Sequence, residues 1–142
     1  MNMKLRSVLL GIVVVAALLQ TVQPDRSNPK VTGALVAAPE VLSILKRSCY
    51  DCHSNESRWP WYSYISPVSM LIAEHVKDGR KHLNFSEWST WDANKQMHAS
   101  SEILEVLESG EMPLSSYLLL HGDAELSSGD KAVLRQWAAQ GE

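Results

Sequence analysis

With 142 residues, the chain has room for one small domain and a short appendage. A hydrophobic share of 45% argues against wholesale disorder. The formal charge is −3, and setting aside Lys4 and Arg6 leaves 11 bases against 16 acids in the rest. Without a basic field to attract phosphates, no nucleic-acid partner is expected.

Residues 1–6 carry Lys4 and Arg6, and Val8 to Leu19 is then apolar apart from Gly11. A basic start followed by about a dozen apolar residues is the pattern of a secretory signal. Extended through Val22, the run becomes a marginal spanning helix. The positive charges precede it, which predicts export of everything that follows. Ala16-Ala17-Leu18 is a poor cleavage site, so residues 1–22 are read as a signal peptide or an amino-terminal membrane anchor.

Residues 23–38 contain Pro24, Asp25, Ser27, Asn28, Pro29 and Gly33 and read as a linker. The folded domain is expected over residues 39–142. Pro39 and Glu40 suit a first helical turn, with Val41, Leu42 and Leu45 on one face. Arg58 to Ser66, rich in aromatic residues and interrupted by proline, cannot be one regular helix. Ser66 then reads as an N-cap with Pro67 at the first helical position and Gly79 as the stop. Val68, Leu71, Ile72, His75 and Val76 form the stripe between them. Asp92 to Ser109 reads as a further helix, with Ile103, Leu104 and Leu107 inward and Gly110 ending it. Ser127-Ser128-Gly129-Asp130 approximates a capping box. In the helix it starts, Val133 and Trp137 share a face and Gly141 is the stop. No alternating strand pattern occurs, so the fold class is all-α.

The chemistry lies in Cys49-Tyr50-Asp51-Cys52-His53. Two thiols separated by two residues match the two vinyl groups on one edge of a porphyrin, and the adjacent imidazole can reach the iron. The pentad therefore predicts one covalent haem c, held by Cys49 and Cys52, with His53 as the proximal iron ligand. A Cys49–Cys52 disulfide gives His53 no role. A thioredoxin-like pair needs a βαβ context, and a zinc site needs four ligands where no second close pair exists.

Candidates for a sixth ligand are Met70, Met97, Met112, His75, His82, His98 and His121. Met70 and Met97 lie in helical patterns, where filling the core explains them. Met112 sits between a helix stop and Pro113, in a loop with no periodic need for an apolar residue. It is the leading choice, with a histidine ligand or an open site as alternatives. Arg80, Asn84 and the Trp88 indole could donate to the haem propionates.

The order of helix, Cys-x-x-Cys-His, Met-Pro loop and terminal aromatic helix resembles class I cytochromes c, and Leu134 and Trp137 fall where such proteins pack an aromatic on the amino-terminal helix near the haem edge. More closely, the chain is similar to the bacterial haem-binding domain proteins, through Cys49 to Asn55, Trp59-Pro60-Trp61-Tyr62, Pro67-Val68-Ser69, Gly79-Arg80, Leu83 to Trp88 and Glu111-Met112-Pro113. The resemblance covers about residues 40 to 140 and the short amino-terminal apolar segment. Met70 stands where the family leads one to expect Trp. The resemblance implies a small cytochrome c-like helical domain, haem attachment and membrane-facing export, without a defined reaction.

From these residues the expected role is one-electron transfer by an exported mono-haem c-type cytochrome with His/Met ligation, acting with redox protein partners on the periplasmic side of the bacterial inner membrane, anchored or released. No residue need act as acid, base or nucleophile. The alternatives are a ligand-responsive haem protein, as a sensor or weak peroxidase with an open or labile distal site, and a haem subunit of a larger redox complex.

Overall fold

The computed structural model describes residues 2–140, so the expected stop at Gly141 lies outside the described residues. All regular structure among them is helical. In chain order the helices are α1 (Met3–Gln20), α2 (Pro39–Ser48), α3 (Tyr50–His53), α4 (Val68–His82), α5 (Ala93–Ser109), α6 (Ser115–Leu118) and α7 (Ser128–Gln140), with short 3-10 turns at Trp61–Tyr64, Trp88–Thr90 and Gly122–Ala124.

The helix ends follow local chemistry. Pro39 occupies the first turn of α2, where its missing N–H costs no hydrogen bond. Asp92 caps α5 by accepting from the Lys95 backbone N–H at 2.9 Å, and Gly110 ends it in the left-handed region at φ 72°. The box before α7 closes in both directions. Ser127 Oγ accepts from the Asp130 N–H at 3.1 Å, and the Asp130 carboxylate accepts from the Ser127 N–H at 2.9 Å.

The core forms where α2, α5 and α7 bring Ile44, Leu45, Ile103, Leu107, Leu134 and Trp137 together under the loop carrying Phe85 and Trp88. Aromatic rings continue this core as a column. Tyr50 stacks on Phe85 at 5.2 Å between centroids, Phe85 on Trp88 at 6.1 Å, and Trp88 meets Trp137 at 5.8 Å.

Three expectations change. The segment at 23–38 has no helix or strand, yet it is strapped to the domain rather than hanging free. The N–H groups of Thr32 and Gly33 donate to the Ser86 carbonyl, that of Leu35 donates to Phe85, and the Leu35 side chain joins the core. Gly33 fits because a Cβ there would come within 2.7 Å of Thr90 Cγ2. Pro67 precedes the first residue of α4, and Ser66 places its hydroxyl 3.1 Å from the Ser69 hydroxyl. Gly79 does not end α4, which continues to His82. Its reason for being glycine is a close crossing with the cysteine motif.

α1 stands apart from the core. It is exposed along its whole length, has a mean hydropathy of 1.8, and is long and apolar enough to cross a membrane.

Candidate functional site

Cys49, at the junction of α2 and α3, and the short helical turn of α3 together hold the Cys-x-x-Cys-His residues. The N–H groups of Cys52 and His53 both donate to the Cys49 carbonyl, at 3.2 and 2.9 Å. This winding turns Cys49, Cys52 and His53 onto the wall of one cavity of about 500 Å³. Much of the rest of that wall is apolar, including Leu45, Ile103, Val106, Leu107, Leu126 and Leu134.

The imidazole of His53 is fixed by α4. Its Nδ1 lies 2.9 Å from the Gly79 carbonyl and 3.2 Å from the Leu83 carbonyl. Two acceptors on one side require the proton on Nδ1, which leaves the Nε2 lone pair free for a metal. Burial is the largest influence on the ring and lowers its pKa, so the neutral imidazole that a metal requires is favoured. The close approach depends on Gly79, where a Cβ would stand 2.7 Å from the Cys52 carbonyl oxygen.

Both cysteines are free thiols. Burial pushes Cys49 up to about 12 and Cys52 up to about 11. Asp51, between them, lines the same cavity and is held by side-chain hydrogen bonds. Its carboxylate accepts from Tyr117 Oη at 2.8 Å and from Arg58 Nε and Nη2 at 3.1 and 3.2 Å.

The exit from the motif is clamped as firmly. The Phe85 N–H donates to the His53 carbonyl at 2.8 Å, Ser54 Oγ donates to Tyr50, and the Asn55 N–H donates to Ser86 Oγ. Asn84 Nδ2 donates to Asn55 Oδ1 at 2.9 Å, while Asn84 Oδ1 accepts from the Ser86 N–H. Tyr50, Ser54, Asn55, Asn84, Phe85 and Ser86 are all buried, so these hydrogen bonds replace ones that water cannot supply.

The residues present fit a haem. Two thiols and a neutral imidazole with a free nitrogen share an apolar cavity, the surroundings that a flat, largely hydrophobic macrocycle and its iron require. Ser48, on the same wall, has a buried hydroxyl with no hydrogen-bond partner and can offer it to an occupant. Over residues 9–140 the sequence matches a family described as the haem-binding domain. The chain belongs to the haem-binding domain family. No curated protein and no solved structure shows a significant match.

The haem-binding domain also sorts the sixth-ligand candidates. Met112 lines the cavity together with Glu111 and Pro113, and His75 and His82 from α4 line it too. Met70 and Met97 are exposed and do not line it. His98 faces solvent beside Glu102 on α5. His121 belongs to a neighbouring cavity of about 180 Å³, where it stacks on Tyr117 at 4.0 Å.

The residues expected at the propionates are engaged elsewhere. Arg80, Asn84 and Trp88 do not line the cavity. The Arg80 guanidinium donates to the Ser54 carbonyl at 2.7 Å, to Asn28 Oδ1 at 2.7 Å and to Ser57 Oγ at 3.0 Å. It ties α4 to the motif's exit loop and to the 23–38 strap. Asn84 is spent on Asn55 and Ser86, and Trp88 fills the aromatic column. A sequence places these residues near the motif but cannot show which way they turn.

Gly79, Tyr117 and Ser48 line the cavity without having been given a place in it by sequence reasoning. For Gly79 a signal existed, because a glycine followed by further helix-compatible residues calls for a packing reason. Tyr117 and Ser48 carry no such mark.

Proposed function

We propose that this haem-binding domain is an exported mono-haem c-type cytochrome that carries single electrons and stays attached to the membrane through α1. The observation that carries the reading is that Cys49, Cys52, His53 and Met112 all line one apolar cavity. Cys49 and Cys52 would hold the haem as thioethers, each S–H adding across a vinyl C=C so that no group leaves. His53, oriented by Gly79 and Leu83, would supply the proximal nitrogen, and Met112 the distal sulfur. When bound, the haem supplies an iron that changes oxidation state by one electron, and methionine ligation raises its potential relative to two histidines.

The chain's own residues suit that task. The apolar wall excludes water and limits the solvent reorganisation that accompanies a change of charge. The clamp at Ser54, Asn55, Asn84 and Ser86 holds the motif rigid, so the ligands need not move between redox states. No acid, base or nucleophile is required, which favours an electron carrier over an enzyme, with redox proteins as partners. Lys4 and Arg6, in the first turns of α1, support an orientation with its amino end in the cytoplasm and the domain on the periplasmic side. Retention of α1 as an anchor is supported by its carboxyl end, where Gln20 exchanges hydrogen bonds with Tyr64 and Ser66 of the domain.

Optical spectroscopy of the purified holoprotein tests the reading. A methionine-to-ferric-iron charge-transfer band should be present and should vanish in Met112→Ala. Rapid carbon monoxide binding by the unmodified protein would overturn the His/Met assignment. It would favour the ligand-responsive alternative, for which His75 and His82 on the cavity wall are the supporting observation.

A further inference from the structure

We propose that Trp61, Tyr64, Ile65, Val68, Leu71 and Leu120 form a surface that rests on the lipid bilayer holding α1, so that the domain lies against the membrane in one orientation. This rests on the reading of α1 as a retained anchor.

All six side chains are exposed, with Trp61 at 74%, Leu120 at 66% and Leu71 at 58%. Single exposed apolar residues are ordinary, but a contiguous set marks an interaction surface. Contiguity is supplied by the small cavity beside the haem site, whose wall brings Val68 and Leu71 of α4 together with Leu120 and with Tyr62 of the Trp61–Tyr64 turn. Ile65 links that turn to α4, its carbonyl accepting from the Ser69 N–H at 2.8 Å.

The connection to α1 identifies the occupant. Gln20, the last residue of α1, donates from Nε2 to the Tyr64 carbonyl at 2.6 Å and accepts at Oε1 from the Ser66 N–H at 3.0 Å. Gln23 Nε2 adds a bond to Ser66 Oγ at 3.2 Å. The patch therefore begins one hydrogen bond from the end of the apolar helix, at the level where that helix leaves the hydrocarbon. Trp and Tyr favour that level because their rings are amphipathic. Arg26 adds a cation beside them. Its guanidinium lies 4.2 Å over the Tyr64 ring and donates to the Ser63 carbonyl, close enough to the patch to meet lipid phosphates.

The orientation has a consequence for the site. The small cavity shares Cys52, His75 and Tyr117 with the large one. Seating the patch on lipid turns that side of the haem site toward the membrane, where a membrane-embedded electron donor would meet it.

The test uses the full-length holoprotein in phosphatidylethanolamine–phosphatidylglycerol vesicles, with a photo-crosslinking amino acid placed in turn at positions 61, 71 and 120, and at position 98 on α5 as control. Haem content, measured first, verifies that each variant is folded. Lipid adducts at least tenfold more abundant from the three patch positions than from position 98 are expected. Adducts no more abundant than the control in a chain that floats with the vesicles would overturn the docking surface and leave the anchor standing. Crosslinks between two copies of the chain in place of lipid adducts would overturn it in favour of self-association. A chain that does not float would remove the anchor reading and this inference with it.

Discussion

Gly79 crosses Cys52 so closely that a Cβ on the glycine would stand 2.7 Å from the Cys52 carbonyl oxygen and 3.1 Å from its carbonyl carbon. The obstructing atoms are backbone, so no rotamer change relieves the contact. The Gly79 carbonyl is also the nearer acceptor of His53 Nδ1. Gly79→Ala should therefore destabilise the apoprotein by about 1–3 kcal/mol, the cost of overpacking a close contact. It should also lower the haem bound per chain, because His53 loses its aim. Urea unfolding and haem quantification check both effects, and a variant unchanged in both would contradict the close crossing.

The cysteines give the apoprotein an alkaline weakness that the holoprotein should lack. Burial raises both thiols above their ordinary value of 9.0, Cys49 to about 12 and Cys52 to about 11. Raised folded-state values favour the fold below pH 9, and that contribution is lost as pH rises through the folded values. Between pH 8 and pH 10 the apoprotein should lose about 2–3 kcal/mol from the two thiols together. Thioethers do not titrate, so the holoprotein should lose only the smaller part owed to tyrosines, among them Tyr50, which is pushed up to about 12. Urea midpoints of both forms at the two pH values measure the difference. Equal losses would argue against covalent attachment.

Arg80 should behave as a structural tie and not as a propionate partner. Its guanidinium bonds Ser54, Asn28 and Ser57, and charge-assisted hydrogen bonds of this kind contribute about 1.5–3 kcal/mol. Arg80→Ala should lower stability by about that much while leaving the reduction potential of the folded holoprotein unchanged. A shifted potential at unaltered stability would return Arg80 to the haem.

The ligand set can be separated by substitution on the two cavity-lining histidines. His75→Ala and His82→Ala should each retain the methionine charge-transfer band, whereas Met112→His should abolish it and lower the reduction potential. Loss of the band in either histidine variant, with Met112 intact, would move the distal assignment away from a simple His/Met pair.

Much of the fold was legible in the sequence because local chemistry decides it. Asp92, Gly110 and the Ser127–Asp130 box mark the ends of α5 and the start of α7, and each acts through atoms within four residues of itself. The short α6 and the 3-10 turns carry no such signal and are set by what surrounds them. The 23–38 strap was illegible for a related reason. Its Pro, Gly and Asn content describes an irregular path, but not where that path runs, and the hydrogen bonds that hold it come from Phe85 and Ser86, far along the chain.

The cysteine–histidine pentad is a property of the sequence alone, since its spacing is fixed by covalent geometry and needs no distant partner. The apolar amino-terminal run is equally plain, being a matter of composition. What only the tertiary structure decided is which residues meet the pentad. Packing of α4 across α3 turned Gly79 from a helix stop into the support of His53 and left Met112, His75 and His82 facing one cavity. The same packing drew Arg80, Asn84 and Trp88 away from it, because buried backbone carbonyls and an aromatic column compete for those side chains more closely than any group in the cavity.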